Sequence, residues 1–145
     1  MLNPFCGRRN PELTIKNSGK DEIFVNELNV AKLIGALSAN HVKWVWGSAW
    51  AKPNVLDSSL GIESIYTIPV KGYEDAEPTW KLPYIREYIA QSPKITHVAW
   101  IDDEIVQDGH DYINSLKIPG LSINPDPYVG ITEAHVEKIR NFFRN

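Results

Sequence analysis

Along this chain the spacing of hydrophobic and polar positions changes period several times, and each change marks an element. Between Asn29 and Asn40, the apolar residues Val30, Leu33, Ile34 and Leu37 recur at i, i+3, i+4 and i+7. That is one face of an α-helix, with Asn29 as its N-cap and an end near Asn40. Residues 42–46 then form a run of β-branched and aromatic side chains that is too short for a helix and suits a buried strand. Gly47 and Ser48 open its exit loop. Residues 54–60, after Pro53, predict a short helix stopped by Gly61, and residues 65–70 a further strand. Residues 81–90 read as helix with Leu82, Ile85 and Ile89 on one face. Residues 95–101 are the clearest core strand, running straight into Asp102, Asp103 and Glu104. Residues 109–116 predict a short helix and residues 121–123 a last strand. Thr132 caps a C-terminal helix whose Val136, Ile139 and Phe143 face inward. The first twenty residues hold Asn3-Pro4, Gly7, Asn10-Pro11 and Asn17-Ser18-Gly19, turn chemistry that reads as loop with a short hairpin; residues 23–25 suit a brief strand.

Strands and helices thus alternate, which argues for an α/β fold whose largely parallel sheet is covered on both faces. In such folds ligands bind outside the carboxyl ends of the strands. A chain of 145 residues with 43% hydrophobic content supports one core and one domain, residues 1–145. Fifteen Lys and Arg against eighteen Asp and Glu give a net charge of -3, so no overall basic field draws in nucleic acid or an anionic membrane. No apolar run approaches the roughly 18 residues that span a bilayer, and no signal pattern opens the chain, so a cytoplasmic protein with no membrane partner is expected. The single Cys6 excludes an internal disulfide framework and suits a reducing compartment.

Three polar features stand at strand ends: Ser48, Lys81 at the opening of a helix, and the pair Asp102 and Asp103. A serine after a strand is ordinarily a turn residue, and a lysine at a helix start is ordinarily solvated. The acidic pair is harder to set aside. Two carboxylates leaving an apolar strand repel each other, and without a cation one is driven towards its protonated form. A divalent metal removes that cost, and hard oxygen ligands without nearby His or Cys favour Mg2+. Hydroxyl, ammonium and metal-binding carboxylates at adjacent strand ends are what phosphoryl transfer requires. A receiver domain uses a similar inventory, but there the acidic pair precedes the hydroxyl and the lysine, and here it follows them.

That order also resembles the second, third and fourth motifs of the haloacid dehalogenase-like (HAD) hydrolases. The likeness is to a small capless subgroup related to the HAD domains of RNA-repair proteins, with D-x-D-G-V-L-N-P, W-x-T-x-W, W-K and W-x-D-D-E in series. The residues that carry it are Leu2-Asn3-Pro4, Trp46-Gly47-Ser48-Ala49-Trp50, Trp80-Lys81 and Trp100-Ile101-Asp102-Asp103-Glu104. Pro125-Asp126-Pro127 and Gly130-Ile131-Thr132-Glu133 look like the subgroup's closing stretch. The resemblance implies a Rossmann-like three-layer sandwich with a mainly parallel sheet. It implies a Mg2+-dependent phosphatase working through an aspartyl-phosphate, with Ser48 and Lys81 as catalytic and phosphate-binding residues and Asp102 and Asp103 as metal ligands. The implied substrate is a phosphorylated macromolecule, a nucleic-acid end or a phosphoprotein, because no stretch is long enough for a sizeable cap.

One departure is plain. Met1 stands just before Leu2-Asn3-Pro4, so both aspartates of D-x-D are absent from this sequence. The expectation is a chain whose nucleophile and first core strand lie upstream, lost to a start assigned too late or to a trimmed N-terminus; the alternative is a pseudoenzyme that binds phosphate or metal in a regulatory or interaction role. Either way Ser48, Lys81, Asp102 and Asp103 should converge, with Asp102 the more buried acid. Between the strands ending at Trp46 and Ile101 there should be a groove or a substitute strand.

Overall fold

The computed structural model describes residues 14–18, 21–25, 27–47, 56–70 and 77–144. Two strands, β1 (Thr14–Ser18) and β2 (Asp21–Val25), open this part of the chain as an antiparallel hairpin with Ser18 opposite Asp21. The turn residues of the sequence had pointed to such a hairpin. Thereafter α1 (Glu27–Ser38), β3 (Trp44–Trp46), α2 (Asp57–Leu60), β4 (Ser64–Thr67), α3 (Leu82–Ala90), β5 (Val98–Ile101), α4 (Gln107–Ser115), β6 (Gly120–Ile123) and α5 (Glu133–Arg144) alternate. The α/β reading therefore holds. No helix among the described residues is long and apolar enough to cross a membrane.

Local chemistry sets the element ends. Helix α1 begins two residues before Asn29, whose side chain donates instead to the Ile131 carbonyl at 3.1 Å and ties α1 to the segment entering α5. Gly61 ends α2 at φ 71°, a left-handed conformation that glycine adopts without steric cost. At α5 the Thr132 hydroxyl accepts from the His135 N–H at 3.3 Å, and His135 Nδ1 accepts from the Thr132 N–H at 3.1 Å. This is a reciprocal cap with histidine in the place usually held by Glu or Gln.

Neighbouring strands run parallel but form separate pairs, β3 with β4 and β5 with β6. Successive side chains alternate between two apolar layers. Trp44, Ile101 and Ile123 pack with Leu33 and Leu37 of α1 and Val136 and Ile139 of α5. Val45 and Trp100 pack with Leu82 and Ile85 of α3 and Ile113 of α4. Period-2 alternation sends neighbours to opposite faces, and both faces are covered, so β3 and β5 are apolar at every position. A third cluster gathers Val30, Trp46 and Leu56. There Asp57 accepts from Trp46 Nε1 at 2.8 Å and from Ser64 N and Oγ at 2.9 and 2.6 Å, joining β3, α2 and β4.

The single mainly parallel sheet expected from the alternation is not what the described residues form. Nothing in them pairs with the second edge of β3 or of β5, and a cavity of about 780 Å³ is bounded by both strands. The expected groove between the strands ending at Trp46 and Ile101 lies here. The ladder stops for a physical reason: strand pairing needs backbones about 4.8 Å apart, and side chains from α1, α3, β3, β5 and α5 line an open space instead.

On the far side, α4 lies directly against β6. A Cβ at Gly120 would stand 2.6 Å from the Ile113 carbonyl oxygen, a backbone atom that cannot yield without moving the helix. We expect Gly120→Ala to lower stability by about 1–3 kcal/mol, as overpacking does. Urea denaturation should show this as a lower midpoint at unchanged slope; an unchanged midpoint would mean that α4 does not sit this close.

Candidate metal and phosphate site

Lys81 occupies the N-cap position of α3 and is 2% exposed. An ammonium at a helix start faces the positive end of the helix dipole, and burial adds a desolvation cost, so it needs anions beside it. Asp102, the first residue after β5 and 0% exposed, supplies one at 2.8 Å from Lys81 Nζ. Glu104 Oε1 supplies a second at 3.6 Å, and the Trp80 ring lies 5.3 Å from the same ammonium. Burial draws the Lys81 pKa down, but the charge and hydrogen bond of Asp102, with help from Glu104, more than offset it and hold the ammonium above its ordinary value.

The sequence fixes this meeting point through two anchored turns. Thr79 N donates to the Asp108 carboxylate at 3.1 Å, while Thr79 Oγ1 donates to Asp108 and accepts from Val106 N at 3.0 Å. The loop carrying Trp80 and Lys81 is thereby clasped to the first turn of α4. On the other strand end, the Asp102 N–H donates to the Ile123 carbonyl at 3.0 Å, and Asn124 Nδ2 donates to the Asp102 carbonyl at 3.1 Å. Asp102 Oδ1 accepts from Glu104 N at 2.9 Å, which curls the acidic turn back on itself. Trp80 Nε1 donates to Glu104 Oε2 and holds that carboxylate over the lysine.

Asp102, Asp103 and Glu104 each offer an oxygen within 4.8 Å of the others. Asp102 is buried and Asp103 half-buried, the order expected for the residue that directly follows the apolar strand. Burial pushes the Asp102 carboxyl up to about 6, against the opposing pull of Lys81. Burial, then repulsion from Glu104, also raises Asp103. Three carboxylates against one ammonium leave a formal charge of -2, which a divalent cation would balance. Opposed ligands of Mg2+ stand about 4.2 Å apart, twice its ligand distance of about 2.1 Å, so a modest contraction or one bridging water would let this all-oxygen group hold it.

No family model, curated protein or solved structure matches this chain. The site is therefore read from its own geometry. Lys81, Asp102 and Asp103, named from the sequence, stand together at the carboxyl end of β5. Ser48, named with them as the phosphate-binding hydroxyl, lies outside the described residues. Sequence reasoning assigned no role to Glu104 or Asn124. Glu104 was open to recognition as the third of three consecutive acids; the Asn124 contact joins two strand ends and leaves no local pattern.

Proposed function

We propose that this chain is the core of a Mg2+-dependent phosphohydrolase of HAD-like type. In this reading the two helix layers and the strand pairs between them are a Rossmann-like three-layer sandwich. Support comes from the meeting of Lys81 with Asp102, Asp103 and Glu104 at one strand end, a cation and a hard-oxygen anion set side by side. Asp102 and Asp103 would hold Mg2+, whose contribution is to neutralise phosphate oxygens as charge shifts in the transition state. Lys81 would face the same oxygens as a fixed positive charge, and Ser48 would donate to them. The roles proposed for the residues of this chain are binding and positioning. A regulatory pseudoenzyme with the same pocket is the closest variant of this reading, and a phosphorylated nucleic-acid end or protein remains the proposed partner.

A second reading rests on a specific observation: each Asp102 oxygen already accepts a hydrogen bond, from Lys81 and from Glu104 N, at 0% exposure. The cluster would then be a structural tie between α3 and β5. Calorimetry with Mg2+, alone and with inorganic phosphate, separates the two. Under the metal reading Asp102 must lose its proton first. With a value of about 6, the ionised fraction rises about tenfold from pH 5 to pH 7, and Mg2+ affinity should rise by about the same factor. Asp103→Asn should weaken Mg2+ while leaving the fold intact, and phosphate should bind more tightly with Mg2+ present. Absence of Mg2+ binding at pH 7 would leave the structural tie as the better account.

A further inference from the structure

The cavity between β3 and β5 has four walls, and together they define the shape of an occupant. Leu37 of α1 and Ile139 of α5 close one face, and Ile85 and Tyr88 of α3 close the other. The two sides are the strands themselves. Residues 98 and 102 donate to the β6 side, through Val98 N to the Pro119 carbonyl at 3.0 Å and Asp102 N to the Ile123 carbonyl at 3.0 Å. Backbone groups alternate sides along a strand, so those of Ala99 and Ile101 point the other way, into the cavity. On β3 the Trp46 carbonyl accepts from Ile68 N at 2.8 Å on the β4 side, which turns the Val45 backbone to the cavity. The space thus lies in the strand layer, with apolar side chains above and below and backbone edges left and right.

Charge is distributed along it unevenly. Its mouth lies at the amino ends of β3 and β5, where His41, Lys43, Lys94 and His97 stand, and no Asp or Glu is among its described lining residues. The carboxyl end of β5 leads to Asp102, Asp103 and Glu104.

We infer that this cavity accepts one extended segment of a partner polypeptide, parallel to β3 and β5, as a short continuous apolar run preceded by carboxylates. Apolar faces on both sides require a continuous run rather than an alternating one. Two backbone edges require amides to pair with, as in strand addition to a sheet edge. The cationic mouth places carboxylates before the run, and the acidic turn disfavours them after it. The inference stands apart from the phosphate reading, since it draws on that site only for the negative charge of the acidic turn and needs neither metal nor phosphate.

The test uses the full chain in metal-free buffer and a synthetic peptide of two aspartates followed by five β-branched apolar residues. Hydrogen exchange followed by NMR should show the amides of Val45, Ala99 and Ile101 slowed at least tenfold on binding. A peptide with the same residues but the aspartates last should bind at least tenfold more weakly. Lys43→Glu with Lys94→Glu, both at exposed positions, should cost the first peptide a similar factor without altering the fold. No binding at about 1 mM, the edge of measurable association, would overturn the inference. So would binding that leaves those three amides unprotected, or equal affinity for both peptides. Sodium laurate has a carboxylate and an apolar chain but no amides; if it displaced the peptide and bound more tightly, the cavity would be an acyl-chain site and the inference would fall.

Discussion

Replacing Lys81 by Met, or Asp102 by Leu, should each cost about 3–5 kcal/mol, and replacing both together should cost well under the sum. The ion pair spans 2.8 Å between groups that are 2% and 0% exposed, so removing either partner strands a charge where water cannot reach it. The two single changes should differ in their pH dependence. With Lys81 gone, Asp102 can escape by taking up a proton, and its value already stands at about 6 against an ordinary 3.8. A raised carboxyl favours the folded state at low pH, and that advantage is lost as pH rises through the folded value. Lys81→Met should therefore be markedly less damaging at pH 5 than at pH 7.5. Asp102→Leu leaves a buried ammonium with only the weaker attraction of Glu104 at 3.6 Å and of Asp103 and should remain costly at both. Urea denaturation of the four proteins at the two pH values gives the cycle; simple additivity would mean that the two side chains do not act as a pair.

The same pair shows how far the sequence could be read. Residues 95–101 announced a buried strand because the run closes on four consecutive apolar positions, residues 98–101, and Asp102 was suspect because a carboxylate there has no local way to be solvated. Lys81 was located by its place at a helix start. Their contact is separated by 21 residues, and only the order of motifs suggested it. Element ends were less legible where tertiary bonds overrode local signals: Asn29 had the chemistry of a cap, but its amide reaches Ile131, 102 residues away. The split between the two strand pairs was open to argument only through the resemblance, since nothing in the composition of residues 44–46 or 98–101 says which edges will pair. The burial of Asp102 followed from its place after the apolar strand, but its complete set of bonds had no sequence signal, and it is this that makes a structural tie a serious competitor to the metal reading.

Trp100→Ala should cost about 3–5 kcal/mol, the range for removing a large aromatic from a core, while Trp100→Phe should cost less than about 1 kcal/mol. Trp100 is 0% exposed and packs with Val45, Leu82, Ile85, Ile105 and Ile113, so the ring's contacts are lost with alanine and largely kept with phenylalanine. The indole nitrogen decides the second value. Trp100 Nε1 is buried without a hydrogen-bond partner, and an unpaired buried donor carries a penalty of about 1–3 kcal/mol that phenylalanine removes. That gain offsets the smaller ring. Trp46 is the control, because its Nε1 donates to Asp57 Oδ1 at 2.8 Å. Trp46→Phe takes a donor from a half-buried carboxylate and should cost about 1–3 kcal/mol. Urea midpoints at constant slope compare the two directly. If Trp100→Phe proves as damaging as Trp46→Phe, the Trp100 nitrogen is hydrogen-bonded in solution, most simply to a water held in the cavity between β3 and β5. That water would be a polar group the incoming strand must displace or pair with.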